Sequence, residues 1–187
     1  MMKLLAFSGS SRKDSINSKL VQAVADLSQS HQPGKVEMTF VNLMDFDAPN
    51  IDGANASRPE MPHQVIKFRD LLRIQDGFII GSDEYTGAYS SVLRNLISWL
   101  VLEDGLGGTA FNNKPVAICG ASSRGVGSVR GHPALQQLFL TLGANVISQN
   151  IRLGTAGSIF QSNGKLTDNV QTQLLDNTIA KLLFPAE

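Results

Sequence analysis

The chain predicts a three-layer α/β fold, a five-stranded parallel sheet with helices on both faces. Three segments carry that prediction: KLLAF (Lys3–Phe7), GFIIG (Gly77–Gly81) and PVAICG (Pro115–Gly120). Each is an uninterrupted apolar run, as a strand covered on both sides must be. Between them apolar residues recur at helical spacing, so that strand and helix alternate five times. No internal repeat or low-complexity linker interrupts the alternation, and residues 1–187 read as one domain.

The elements follow in order. After Lys3–Phe7, the residues Ile16, Leu20, Val24 and Leu27 share one helical face, on a helix ending near Ser30. Lys35–Leu43 (KVEMTFVNL) alternates as a second strand. The next stretch, MDFDAPNIDGANAS, is rich in Asp, Asn, Pro and Gly and reads as irregular; its Asp45, Asp47 and Asp52 suit turns and solvent better than a metal. Val65, Phe68 and Leu72 mark a helix leading into Gly77–Gly81. Leu93, Leu96, Ile97 and Leu100 stand at i, i+3, i+4 and i+7, which predicts a helix over 90–102. Past Pro115–Gly120, Leu135, Leu138, Phe139 and Leu142 define a helix that Gly143 can close with a left-handed cap. Ala144–Ser148 supplies the fifth strand, and Leu166, Val170, Leu174 and Ile179 a last helix.

Bulk composition narrows the partners. Sixteen basic residues balance sixteen acidic ones, so no global field draws nucleic acid or an anionic membrane, and any anion site must be local. The single cysteine, Cys119, excludes an internal disulfide framework, suits a reducing compartment, and falls in a buried strand as a packing residue. The N-terminus lacks the pattern of a signal peptide, and no run approaches the roughly 20 apolar residues of a spanning helix, so a cytoplasmic location is expected. His31, His63 and His132 are scattered and are expected at the surface.

In sheets of this kind ligands bind beyond the carboxyl ends of the strands, which directs attention to three loops. In the first, FSGSSRKDSINSKL, the hydroxyls of Ser10, Ser11 and Ser15 meet the Arg12 guanidinium and the start of a helix. A helix N-terminus carries unpaired N–H groups and about half a positive charge, and arginine adds a fork suited to phosphate oxygens. The plainer alternative is that Asp14 or Ser15 caps the helix and the other serines are solvated. The glycine-framed Lys-Ser/Thr of a nucleotide P-loop is missing, and so is the cysteine a small phosphatase would need here; a phosphate in this loop would be held, not attacked. The second loop leads into SDEYTGAYSSVLRNLISWL, with both tyrosines of the chain, Tyr85 and Tyr89, beside a strand end. They suggest a platform for a flat ring, while Trp99 fits the core face of its helix. The third, GASSRGVGSVRG, has the glycines and hydroxyls of a close backbone approach, but Arg130 stands where a dinucleotide fingerprint needs its third glycine.

Together these loops resemble the NADPH-dependent FMN reductase family, which includes quinone, chromate and azo-compound reductases of flavodoxin-like fold. Gly9-Ser10-Ser11-Arg12-Lys13-Asp14-Ser15-Ile16-Asn17 matches that family's G-S-x-R-x-x-S-x-N pattern. Glu84-Tyr85 and Leu93-Arg94-Asn95-Leu96-Ile97-Ser98-Trp99 match its second segment, and KPVAICGASSRGVGSVRG its third. The resemblance implies strand order 2-1-3-4-5 and bound FMN. It assigns the FMN phosphate to Ser10, Arg12, Ser15 and Asn17, with Ile16 in the same turn. It places Glu84, Tyr85, Thr86 and Gly87 at the isoalloxazine ring and Ser122, Ser123, Gly125 and Gly127 along the ring's other edge. Asp83, Thr86 and Ser98 depart from the family's Pro, Asn and Asp, and Ser90-Ser91 from a frequent Pro-Gly; these changes bear on the second substrate more than on flavin binding.

The expected activity is hydride transfer from NADPH or NADH through FMN to a quinone, a free flavin or a similar small acceptor. The flavin carries that chemistry, so no catalytic side chain and no metal is expected. A flavodoxin-type electron carrier and a non-catalytic flavin-binding regulator are the alternatives; carriers are usually strongly acidic, and this chain is neutral. By the same resemblance the chain is expected to form a homodimer or homotetramer.

Overall fold

A computed structural model describes residues 1–12, 14–53, 57, 60–104, 108–122, 130–148, 151–154, 160–161, 166–167 and 169–184. In chain order the strands are β1 (Met2–Ser8), β2 (Val36–Asn42), β3 (Gly77–Gly81), β4 (Glu84–Tyr85), β5 (Ala88–Tyr89), β6 (Pro115–Ala121), β7 (Asn145–Val146) and β8 (Ile151–Leu153). The helices are α1 (Ile16–His31), α2 (His63–Arg73), α3 (Ser91–Asp104), α4 (Gly108–Phe111), α5 (Gly131–Thr141) and α6 (Asn169–Leu183), with a 3-10 turn at Leu43–Phe46.

The main sheet runs β2-β1-β3-β6-β7, the expected 2-1-3-4-5 order, and every pairing in it is parallel. Its fifth position differs from the single strand expected at Ala144–Ser148. Two short strands share that edge: β7 pairs with Pro115–Val116, and β8 with Cys119–Ala121. Three residues of β8 are too few to register as an apolar run, which is why the segment gave no signal. The last helix begins at Asn169, beyond Leu166, which instead bridges Phe160. The i+4 spacing of Leu166 and Val170 is coincidence.

Alternation along the central strands splits the core in two. Leu5, Phe7, Phe78, Ile80, Val116 and Ile118 face the layer of α2 to α5. Leu4, Ala6, Ile79, Ala117 and Cys119 face α1 and α6. Leu20, Val21 and Val24 of α1 are fully buried against that second face, and each contributes about 1.5–3 kcal/mol relative to an exposed position. Burial also holds the Cys119 thiol protonated by pushing its pKa far up. His132 is 3% exposed near the start of α5, and is therefore not the surface residue expected.

The C-terminus of α5 is closed as the glycine predicts. Gly143 has φ 77°, its N–H donates to Leu140, and the Ala144 N–H donates to Phe139, the two bonds of a Schellman cap. Because the central strands are parallel, β1, β3 and β6 all release their chains at the same edge of the sheet.

Candidate flavin site

At that edge the loops after β1 and β3 are tied together by the Gly9 N–H, which donates to the Gly81 carbonyl at 2.8 Å. A Cβ on Gly9 would come within 2.8 Å of Ser90 Oγ and 3.1 Å of Ser82 Oγ, so the backbone approach needs glycine. Ser15 then caps α1: its backbone is extended (φ −67°, ψ 125°) and its hydroxyl accepts the Ser18 N–H. The plain capping role considered for Ser15 is thus present.

Ser10, Arg12 and Asn17 converge on one carboxylate, that of Asp83. Ser10 Oγ donates to Asp83 Oδ2 at 2.6 Å, and Asn17 Nδ2 to Oδ1 at 2.7 Å. Arg12 reaches Oδ1 at 3.2 Å and the Tyr85 hydroxyl lies 3.5 Å from Oδ2. The Asp83 side chain is 3% exposed, whereas that of Arg12 is 60% exposed and joins the group from the solvent side. Burial works against ionisation of Asp83, but the hydrogen bonds from Ser10, Asn17 and Arg12, with the Arg12 charge, outweigh it and hold its carboxyl below the usual range. Asn17 continues the chain of bonds, since its Oδ1 accepts the Ala121 N–H at 2.7 Å. One buried amide therefore links α1 to the ends of both β3 and β6.

The segment after β3, read in the sequence as a loop, folds into the antiparallel hairpin β4–β5. Its two turn residues, Thr86 (φ 50°) and Gly87 (φ 81°), both have positive φ, the mark of a type I′ turn. Tyr85 is 52% exposed beside it. The Glu84 carboxylate turns the other way and accepts the N–H groups of Arg130 (3.2 Å) and Gly131 (2.9 Å), capping α5. At the base of the hairpin Ser90 caps α3 through the Leu93 N–H. Further along α3, Asn95 and Trp99 fasten the segment around Pro49. Asn95 Nδ2 donates to the carbonyls of Ala48 and Pro49, its Oδ1 accepts the Ile51 N–H, and Trp99 Nε1 donates to Pro49 at 2.8 Å. Trp99 is 2% exposed, in the core as expected.

The structure thus brings Ser10, Arg12 and Asn17 together and puts Ile16 at the first turn of α1 beside them. Tyr85, Thr86 and Gly87 form an exposed or half-exposed hairpin tip over the same edge. Ser122 follows β6 and donates its N–H to Leu153. Ser123, Gly125 and Gly127 lie outside the described residues. Asp83 is the residue that sequence reading undervalued, as a mere departure at the ring. The available signal was an acidic residue directly after a buried strand, facing a Ser/Arg/Asn loop.

As a test of fit, the donor set suits the phosphate of FMN in kind: two neutral donors and a guanidinium surround an oxyanion, and here a carboxylate stands in for it. Comparison with known proteins agrees. The profile of the NADPH-dependent FMN reductase family matches residues 2–157. The chain is 26% identical to an NAD(P)H-dependent FMN reductase of Pseudomonas aeruginosa, over 97% of this chain and 93% of that protein. It is 29% identical to a quinone reductase of Pseudomonas putida over 87% and 83%, respectively. Among solved structures, a flavoenzyme NAD(P)H:(acceptor) oxidoreductase from Paracoccus denitrificans superposes with a TM-score of 0.77 at 22% identity, covering 98% of this chain and 96% of that one. That likeness establishes the flavodoxin-like fold.

Proposed function

Because the chain belongs to the NADPH-dependent FMN reductase family and is an FMN-dependent oxidoreductase, we propose that its acceptor is a quinone or a free flavin, reduced at the edge where β1, β3 and β6 end. The observation that supports the site is the convergence of Ser10, Arg12 and Asn17 on a single oxyanion. When bound, FMN supplies the redox chemistry, taking hydride from reduced nicotinamide and passing electrons to the acceptor.

The chain's own residues bind and orient. Ser10, Arg12, Ser15, Ile16 and Asn17 hold the phosphate end of the cofactor in this reading. Glu84, Tyr85, Thr86 and Gly87 border the ring, Glu84 by fixing the hairpin to α5 and Tyr85 by offering an aromatic face. Ser122, Ser123, Gly125 and Gly127 follow the other edge. One domain, residues 1–187, carries all of it, as a cytoplasmic homodimer or homotetramer. Among the described residues no helix is long and apolar enough to cross a membrane.

The test is the visible spectrum of the purified protein with and without added FMN, followed by anaerobic addition of NADPH or NADH. Flavin bands that bleach on addition of nucleotide, and recover with a quinone, are expected. Flavin that binds but stays oxidised would make the chain a carrier, and no binding would refute the site. Arg12→Ala and Ser15→Ala should each weaken FMN retention without unfolding the chain; wild-type affinity in both would remove them from the phosphate contacts.

A further inference from the structure

Asp83 answers the first-loop donors with the chain's own negative charge. We propose, resting on the flavin reading above, that Asp83 is a built-in anion of the phosphate loop and lowers the site's preference for phosphorylated over unphosphorylated flavin. Three observations lead there. Ser10, Arg12 and Asn17, three of the four polar side chains assigned to the phosphate, all donate to the Asp83 carboxylate; the fourth, Ser15, accepts the Ser18 N–H. The carboxylate is 3% exposed, so it is enclosed by these donors and not draped over them. Its position is fixed from behind. The Ser82 hydroxyl donates to the Asp83 carbonyl and accepts the Ser90 N–H, and Gly9 packs against Ser82 and Ser90.

The consequence is electrostatic. A flavin phosphate carries about 1.5 to 2 negative charges at neutral pH. Entering this loop, it either displaces Asp83 from its donors, leaving a buried carboxylate short of partners, or lies beside it with one guanidinium between them. Both routes cost affinity for FMN. Riboflavin presents the same ring and ribityl chain without the phosphate and does not meet that cost. Asp83 is thus a specificity-determining residue that acts on the tail of the cofactor, away from the reacting ring.

The experiment measures the dissociation constants of FMN and riboflavin, by quenching of flavin fluorescence, for the wild-type chain, Asp83→Asn and Asp83→Ala. In parallel, melting temperatures are recorded in inorganic phosphate and in chloride at equal ionic strength. Expected is a tightening of FMN by about tenfold or more in the variants, with riboflavin changed by less than about threefold, and a stabilisation by phosphate that the variants show and the wild type lacks. If both flavins bind and the ratio of their affinities is the same in all three proteins, or FMN weakens in the variants, the built-in anion is refuted while the reductase reading stands. If neither flavin binds any of them, the reductase reading fails and the phosphate response decides: gained in the variants it supports the role of Asp83, absent it overturns it. Should Asp83→Asn not fold, Asp83→Ala gives the same comparison.

Discussion

Replacing Asn17 with alanine should destabilise the chain by far more than a typical substitution in the first turn of a helix. Asn17 is 2% exposed and makes two short bonds, to the Asp83 carboxylate and from the Ala121 N–H, each 2.7 Å. Truncation leaves the Ala121 amide without its acceptor at a residue only 5% exposed; a buried group so stripped costs about 1–3 kcal/mol. It also removes a bond to a charged acceptor, worth about 1.5–3 kcal/mol. Together the loss is about 3–5 kcal/mol, which for a chain of this size lowers Tm by about 10 °C or more. Urea titration followed by the fluorescence of Trp99, the single and buried tryptophan, measures it directly. Asn17→Asp is the informative companion. It keeps an acceptor for Ala121 but sets a second carboxylate against Asp83, so it should do no better than alanine, and the Asp83→Asn change should rescue it in part. A loss below about 1 kcal/mol for Asn17→Ala would show that the three strand ends hold together without the amide, and the network described above would not be the organiser of this edge.

Three other expectations are simpler. Thr86 is a β-branched residue with φ 50°, and left-handed backbone costs such a residue about 1–2 kcal/mol; Thr86→Asn should raise stability by about 0.5–1 kcal/mol, and an unchanged urea midpoint would speak against strain in the turn. Glu84→Ala removes the acceptor of the Arg130 and Gly131 N–H groups and should cost about 1–2 kcal/mol with loss of order at the start of α5, read by amide hydrogen exchange. Asp83 has its carboxyl pKa lowered in the folded state, so the folded chain binds fewer protons there than the unfolded one. Its contribution is fully present above about pH 4, the ordinary aspartate value, and fades as pH falls through the lower folded value. The stability gap between wild type and Asp83→Asn should therefore close below about pH 4; a gap that stays constant into strong acid would contradict the ionised network.

Much of this was legible in the chain. Continuous apolar runs located the three central strands to within a residue or two, because a strand buried on both faces leaves no room for polar residues. Helical spacing found the covering helices, and Gly143 was read as their cap for the right reason. What escaped was short or polar. The hairpin at Glu84–Tyr89 has two-residue strands and a Thr-Gly turn in place of the Asn-Gly that signals type I′, so its pattern was invisible. Strand β8 has three residues, and the burial of His132 depends on packing that no local pattern encodes. Of the site, the sequence reading gathers Ser10, Arg12 and Asn17 as donors for an anion, and in the structure all three meet the Asp83 carboxylate. Asp83 as the anion that meets them was missed: it stands 71 residues from Arg12, and only the adjacency of β1 and β3 turns an acidic residue just past a buried strand into their partner.

That contact bears on how the edge is built. Donors gathered at strand ends for a ligand are a liability in the ligand-free protein, because a half-buried cluster of hydroxyl, amide and guanidinium groups without acceptors loses water and gains nothing in return. A site can tolerate this by staying open to solvent or by waiting for its cofactor to complete it. Here the same donors are satisfied from within, by a carboxylate whose chain position follows directly from the last residues of β3. With the phosphate placed as proposed above, folding and cofactor binding draw on one set of hydrogen bonds and cannot both have them in full. Ligand binding stabilises a fold only by the free energy it adds beyond what the empty site already holds. A site satisfied by Asp83 should then be a sturdier apoprotein and a weaker trap for phosphate, two properties with a single cause in the carboxylate that stands where the family's pattern has proline.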